Sequence, residues 1–193
     1  MSFKLCALNR TGMYTITDYK PHFHNAVIRL GEDTFDDDCH AMIRAAVRDR
    51  STYSRVILAG RKVIGFVIIN ENKYSKGLPD GLEVSFLCVD DEHQGKGLGT
   101  FLLNEVKELG FDYIWLEVSK DNLDAKALYE RMGFSEWREI RNGEYSGYVL
   151  GYSKLRHEWL PRLRSREHLP KDGITAPYLA RPQSDSRPVS RSP

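Results

Sequence analysis

Gln94-Gly95-Lys96-Gly97-Leu98-Gly99 lies between an apolar stretch, Leu82 to Val89, that reads as a strand and an amphipathic stretch, Gly97 to Leu109, that reads as a helix. Three glycines within five residues leave the backbone bare where that helix starts. The first N–H groups of a helix have no intrahelical acceptor and carry the positive end of its dipole. A diphosphate can rest against them with no Cβ in the way. The segment therefore predicts a strand–turn–helix unit with a pyrophosphate-bearing ligand at the turn.

Three readings of such a turn compete. A dinucleotide fingerprint needs a third glycine at position 100, where this chain has Thr100, although Glu117 stands about 20 residues on. A phosphate loop ending in Gly-Lys-Ser/Thr is absent. A tight turn with no ligand is the plain alternative.

The neighbouring sequence builds an α/β pattern. Strands are expected at Phe3–Leu8, Met13–Asp18, Ser54–Ala59, Val63–Asn70 and Tyr113–Val118, with helices at His24–Leu30 and Asp38–Arg48. The acidic run Gly31–Asp38 reads as a loop between those helices. In the helix after the turn, Leu98, Phe101, Leu102, Val106 and Leu109 share one face and Gly110 is placed to end it. A short helix capped by Asn122 or Asp124 runs to Arg131 and stops at Gly133. Asn142-Gly143 marks a hairpin between Glu136–Arg141 and Tyr145–Leu155.

The chain has 193 residues and a net charge of +1, unevenly spread. Residues 155–193 carry eight Lys/Arg against four Asp/Glu and six of the eight prolines, whereas 1–154 carry twenty against twenty-three. The division predicts one folded domain over 1–154 and a basic, Pro/Arg/Ser-rich extension over 155–193, largely disordered. No nucleic-acid surface is expected in the core, and no apolar run nears the roughly 20 residues of a membrane helix. Three scattered cysteines and the absence of a leader-like apolar stretch at the start fit a cytoplasmic protein with reduced thiols. The six histidines show no ligand spacing, so no metal is expected.

Two longer stretches narrow the choice. Val89-Asp90-Asp91-Glu92-His93-Gln94-Gly95-Lys96-Gly97-Leu98-Gly99 resembles the acyl-CoA motif of the GNAT acyltransferases. Asn122-Leu123-Asp124-Ala125-Lys126-Ala127-Leu128-Tyr129-Glu130-Arg131-Met132-Gly133-Phe134 resembles the family's second signature, at the family's usual distance. Asp91 stands where many members have proline, which touches turn stiffness and not chemistry. The resemblance covers roughly 13–154 in element order. It implies the GNAT fold: an α/β (α+β) architecture with a central mixed, mostly antiparallel sheet of six to seven strands, splayed at the acyl-CoA site, and about four helices.

It also implies transfer of an acyl group, usually acetyl, from coenzyme A to an amine. Acetyl-CoA is the expected co-substrate, held by Gln94, Gly95, Lys96, Gly97, Leu98, Gly99 and Thr100 at the phosphates. In the resembling fold a bulge frees the backbone of the strand, here Leu87, Cys88 and Val89, to pair with the pantetheine arm and polarise the thioester. Asn122 either caps its helix or bonds the coenzyme.

An alkyl amine with a pKa of ~10.4 is neutral only to the order of one part in a thousand at pH 7, so a base must take its proton. Glu83, eleven residues before Gln94, is the expected base: an acid among Leu82, Val84, Phe86 and Leu87, where partial burial favours a raised pKa. Glu117 and Asp80 are the fallbacks. Tyr129 is the expected acid for the leaving thiolate, since the resembling proteins carry a tyrosine there. Leu128 and Met132 form an i, i+4 apolar pair, which predicts that Tyr129 faces the coenzyme from another side. Cys88 reads as an apolar filler. Glu32, Asp33, Asp36, Asp37 and Asp38 favour a cationic acceptor, such as a polyamine, a lysine side chain or an aminoglycoside, or else form a solvated loop. Phe35, Tyr145 and Tyr148 are expected to shape its pocket. A monomer or homodimer is expected. The competing function is a GNAT-like module that binds acyl-CoA as a sensor or scaffold without turnover.

Overall fold

The computed structural model describes residues 4–6, 14–48, 53–72, 78–143 and 145–154. The extension expected over 155–193 lies outside the described residues. The chain order is β1 (Lys4–Cys6), β2 (Tyr14–Asp18), α1 (His24–Thr34), α2 (Asp37–Arg48), β3 (Arg55–Ala59), β4 (Lys62–Asn72), β5 (Gly81–Val89), α3 (Leu98–Glu108), β6 (Tyr113–Ser119), α4 (Leu123–Arg131), β7 (Ser135–Asn142) and β8 (Tyr145–Ser153). The four helices flank one mixed sheet in the order β1-β2-β3-β4-β5-β6-β8-β7, seven strands plus the three-residue edge strand β1.

Each face of the sheet has its own apolar layer. Leu98, Leu102, Leu103 and Val106 of α3 and Ala125 and Tyr129 of α4 pack on Ile64, Leu82, Leu116 and Val118. On the opposite face Val27, Leu30, Cys39, Ile43 and Val47 of α1 and α2 pack on Phe66, Phe86 and Cys88.

The acidic loop expected over Gly31–Asp38 shrinks to Phe35–Asp36. Gly31 continues α1 because bare backbone is what fits there: a Cβ would stand 3.0 Å from Ile43 Cδ1. The Phe35 N–H donates to the Gly31 carbonyl at 2.8 Å and closes the helix. Asp37 and Asp38 then occupy the first turn of α2, where negative charge is favoured by the helix dipole.

Among the described residues all strand pairs are antiparallel except β5 with β6, and that parallel pair has only two rungs, Leu82–Ile114 and Glu83–Trp115. Beyond them β5 stays with β4, β6 stays with β8, and the strands part. The β4–β5 register shifts so that Ser85 is the extra residue, and its Oγ accepts from Asn70 Nδ2 at 2.7 Å. The bulge therefore sits upstream of Leu87–Val89.

Gly81 begins the joined end, where a Cβ would lie 2.3 Å from the Tyr113 carbonyl oxygen. Gly81→Val should therefore push β5 from β6 at their only seam and lower the unfolding free energy by about 1–3 kcal/mol, measured by urea titration. An unchanged midpoint contradicts a tight seam.

Candidate acyl-CoA site

The parting strands open at their C-terminal ends onto a cavity of about 550 Å³. One wall is Leu87–Val89 of β5; the floor is the glycine turn with the first residues of α3; the other wall is α4. Every cofactor-binding residue expected from the sequence lines it except Lys96, whose Nζ instead donates to the Glu92 carbonyl at 2.7 Å.

The floor is built by backbone geometry. Gly95 and Gly97 have φ of 70° and 79°, the left-handed region that only glycine enters cheaply. Gly97 is the N-cap of α3 and supplies no side-chain cap, so the helix begins with its N–H groups exposed to the cavity. Gln94 pins the turn back to its strand, donating to the Val89 carbonyl at 3.0 Å and to Asp91 Oδ1 at 2.6 Å.

Asp90 anchors the same turn. It accepts from the Glu92 N–H at 3.1 Å, His93 Nδ1 at 3.3 Å and Lys62 Nζ at 2.8 Å. Burial works against its charge, but these hydrogen bonds outweigh it and hold the carboxyl below its ordinary pKa. Asp90, Glu92 and His93 bring their ligand atoms within 4.8 Å of one another. Two of those groups are already spent on one another in bracing the turn.

In α4 Ala125 lines the cavity, and the other lining residues Asp124, Ala127, Leu128 and Arg131 fall at i, i+3, i+4 and i+7, one stripe of the helix. Their periodicity could have been read in the sequence by counting from Asp124. It places Arg131 on the cavity wall about one turn beyond Leu128, which packs toward Gly99. Asn122 begins the helix; its Oδ1 accepts from the Ala125 N–H at 3.2 Å, so capping is its observed work while it also lines the cavity.

Tyr129 sits differently from the i, i+4 expectation. Leu128 lines the cavity, whereas Tyr129 is 2% exposed and packs in the core with its ring 5.7 Å from Phe134. Burial drives its phenol well above the ordinary value, so it holds its proton. Neither Tyr129 nor Glu83 is among the lining residues.

The carboxylates lie on the other side of the sheet. Leu82 and Val84 join the core under α3, so Glu83 between them is directed to the α1–α2 face, where it is half-buried. The same alternation in β6, with Ile114, Leu116 and Val118 under α3, directs Trp115 and Glu117 to that face. Glu83 stands on the last joined rung; Glu117 stands two residues beyond it on β6 and is 2% exposed.

Cys88 packs into the α1–α2 layer and its thiol donates to Thr34 Oγ1 at 3.4 Å. Burial pushes that thiol up to about 12, the Thr34 bond pulls the other way, and Asp91, Asp90 and Asp33 add to the rise. Asp33 on α1 is thus near enough to bear on a cavity-lining group. Phe35, 6% exposed, packs edge-on against Phe86 at 5.6 Å and forms part of the layer, not an open pocket wall.

The sequence model of the acetyltransferase (GNAT) family matches residues 16–134. The chain belongs to that family. It is 27% identical over 154 residues to N-alpha-acetyltransferase 30 of Schizosaccharomyces pombe, covering 77% of this chain and 99% of that protein. It is 42% identical over 60 residues to the ribosomal protein bS18-alanine N-acetyltransferase of Escherichia coli, which is 29% of this chain and 40% of that relative. Its fold is similar to that of Arabidopsis thaliana Naa50 in complex with the bisubstrate analogue CoA-Ac-MVNAL, with a TM-score of 0.56 at 20% identity over 72% of this chain and 98% of that one.

A thiol whose pKa is near 12 is ionised to only about one part in ten thousand at pH 8, and the thiolate is the reactive form. Cys88, and Cys39 with the same shift, should resist iodoacetamide in the native protein and label readily in denaturant, as read by peptide mass spectrometry. Fast native labelling of Cys88 would contradict its burial.

Proposed function

We propose that the chain transfers an acetyl group from acetyl-CoA to a primary amine by direct attack. One observation carries the reading: β5 and β6 part after two rungs, and the gap leads onto a floor of uncapped helix N–H groups. The pantetheine arm fits the gap as an added strand against Leu87–Val89, where Leu87 and Val89 turn their backbone groups to the gap and those of Cys88 face β4. One of these N–H groups polarises the thioester oxygen where negative charge develops. The pyrophosphate rests on Gln94–Thr100, and Arg131 offsets phosphate charge from the cavity wall. Residues 1–154 form the acetyltransferase unit in this reading, with 155–193 as an extension.

The amine approaches from the α1–α2 face, which carries the carboxylates. Relatives named for N-alpha-amino and alanine N-acetylation favour the α-amino group of a polypeptide as acceptor. Such a group, with a pKa of ~8, is neutral to about one part in ten at pH 7 and needs less help than a lysine or a polyamine. Asp33, Asp36 and Asp38 give that side a negative potential that draws a cationic amine. Either Glu83 or Glu117 accepts the proton. The sequence spacing supports Glu83; the place of Glu117 on β6 beyond the last rung supports Glu117. The family signature supports Tyr129 as proton donor to the departing thiolate, although its ring packs behind the α4 wall of the cavity and not on it.

Purified protein mixed with acetyl-CoA and a panel of an N-terminal peptide, a lysine-containing peptide, a polyamine and an aminoglycoside should release free thiol fastest with the N-terminal peptide. Coenzyme binding without release for any amine would favour a sensor or scaffold module. Tyr129→Phe should lower kcat by roughly a hundredfold while coenzyme affinity stays within about twofold; unchanged turnover removes its role. Glu117→Gln should abolish the acidic limb of the kcat profile and Glu83→Gln should preserve it. The opposite pair of results returns the base to Glu83.

A further inference from the structure

We infer that the open edge of β7 is a docking surface for a second copy of this chain, joined strand to strand about a two-fold axis. The described sheet ends at β7, which pairs with β8 on one side only. Which of its backbone groups face outward follows from the ladder. Ser146, Tyr148 and Leu150 turn toward β6, as the Lys120 N–H shows by donating to the Ser146 carbonyl at 3.0 Å. Tyr145, Gly147 and Val149 therefore turn toward β7, where they pair with Asn142, Ile140 and Arg138. That leaves the N–H and C=O groups of Glu139 and Arg141 directed to the open edge.

Those two residues carry opposite charges, two positions apart. An antiparallel copy can pair only residues of like parity, because opposed residues must share a face and a bonding pattern. Centring the axis on Ile140 meets this condition. Glu139 then lies opposite Arg141 of the second copy, and Arg141 opposite its Glu139, at both hydrogen-bonded pairs. Shifting the axis to Glu139 or to Arg141 sets like charges against each other, which cross-strand pairing disfavours. The charges that protect the edge against indiscriminate pairing thus select a single self-complementary register.

The centre of the contact is apolar. Ile140 is half-buried and packs at the margin of a small cluster of Leu78, Trp115, Val149 and Trp137 on the α1–α2 face. Ile140 against Ile140 of the second copy extends that cluster across the axis. The Glu139 side chain is 42% exposed and that of Arg141 77%; Glu139 also pairs with Lys120, so Arg141 can exchange its contact at 3.2 Å for the equivalent one across the axis while Lys120 stays on Glu139. An axis normal to the sheet keeps both α1–α2 faces on one side, so both acceptor openings face the same way.

Five residues a side make a small contact, so the dimer should be weak, with a dissociation constant in the micromolar range. Sedimentation equilibrium on the full chain from roughly 5 to 200 µM, a span that brackets such a constant, should show a reversible monomer–dimer equilibrium. Arg141→Glu should give monomer across that range, and adding Glu139→Arg to it should restore the dimer, with thermal melts checking that each variant folds. Ile140→Lys should also give monomer. A wild-type chain that stays monomeric throughout overturns the inference, as does a dimer that survives both Arg141→Glu and Ile140→Lys.

Discussion

Two rungs, Leu82–Ile114 and Glu83–Trp115, hold β5 to β6, and everything functional in this molecule depends on there being no third. A continuous parallel pair would satisfy the backbone of Leu87–Val89 and leave it nothing to offer a ligand. The early parting leaves β4 as the one strand paired with that segment, with Gln94 on the Val89 carbonyl and the other edge facing the cavity. The separation has a structural source. The Ser85 bulge re-aims β5 on its β4 side, while the glycine at 81 lets β6 come close enough to pin the closed end.

The same divergence sorts the chemistry by face. On the α3–α4 face lie a helix start without a side-chain cap, a glycine turn braced by Asp90 and Gln94, and an α4 stripe ending in Arg131: groups suited to an anionic, elongated ligand. On the α1–α2 face lie Glu83, Glu117 and the aspartates of the α1–α2 junction: groups suited to a cationic one. The gap is the passage between the two. Acetyl transfer within a ternary complex needs such an arrangement, in which donor and acceptor meet from opposite sides while the phosphates stay remote from the amine.

The glycine turn, its strand and its helix were legible in the sequence because local rules decide them. Glycines at positive φ, an apolar helix face and Gly110 at the helix end speak without tertiary help. The second signature was legible for the same reason, through the Asn122 cap and the Gly133 stop. Residues 31–34 read as loop because Gly31, Asp33 and Thr34 have weak helix propensity; packing of Gly31 against Ile43 overrides it. The orientation of Tyr129 was missed because an i, i+4 pair says which residues share a face, not which face meets the ligand. Glu117 stood out only once the register of β6 was known, since its merit is its place beyond the last rung and not any local pattern.

Coenzyme A entering the gap as an added strand makes a claim about particular amides. Hydrogen–deuterium exchange, with and without saturating acetyl-CoA, reads them directly. Exchange at Leu87, Val89 and Gly95–Thr100 should slow markedly while the distant β2–β3 pair stays unchanged. Saturating coenzyme that leaves Leu87–Val89 exchanging as before, or that protects another part of the sheet instead, would contradict the account.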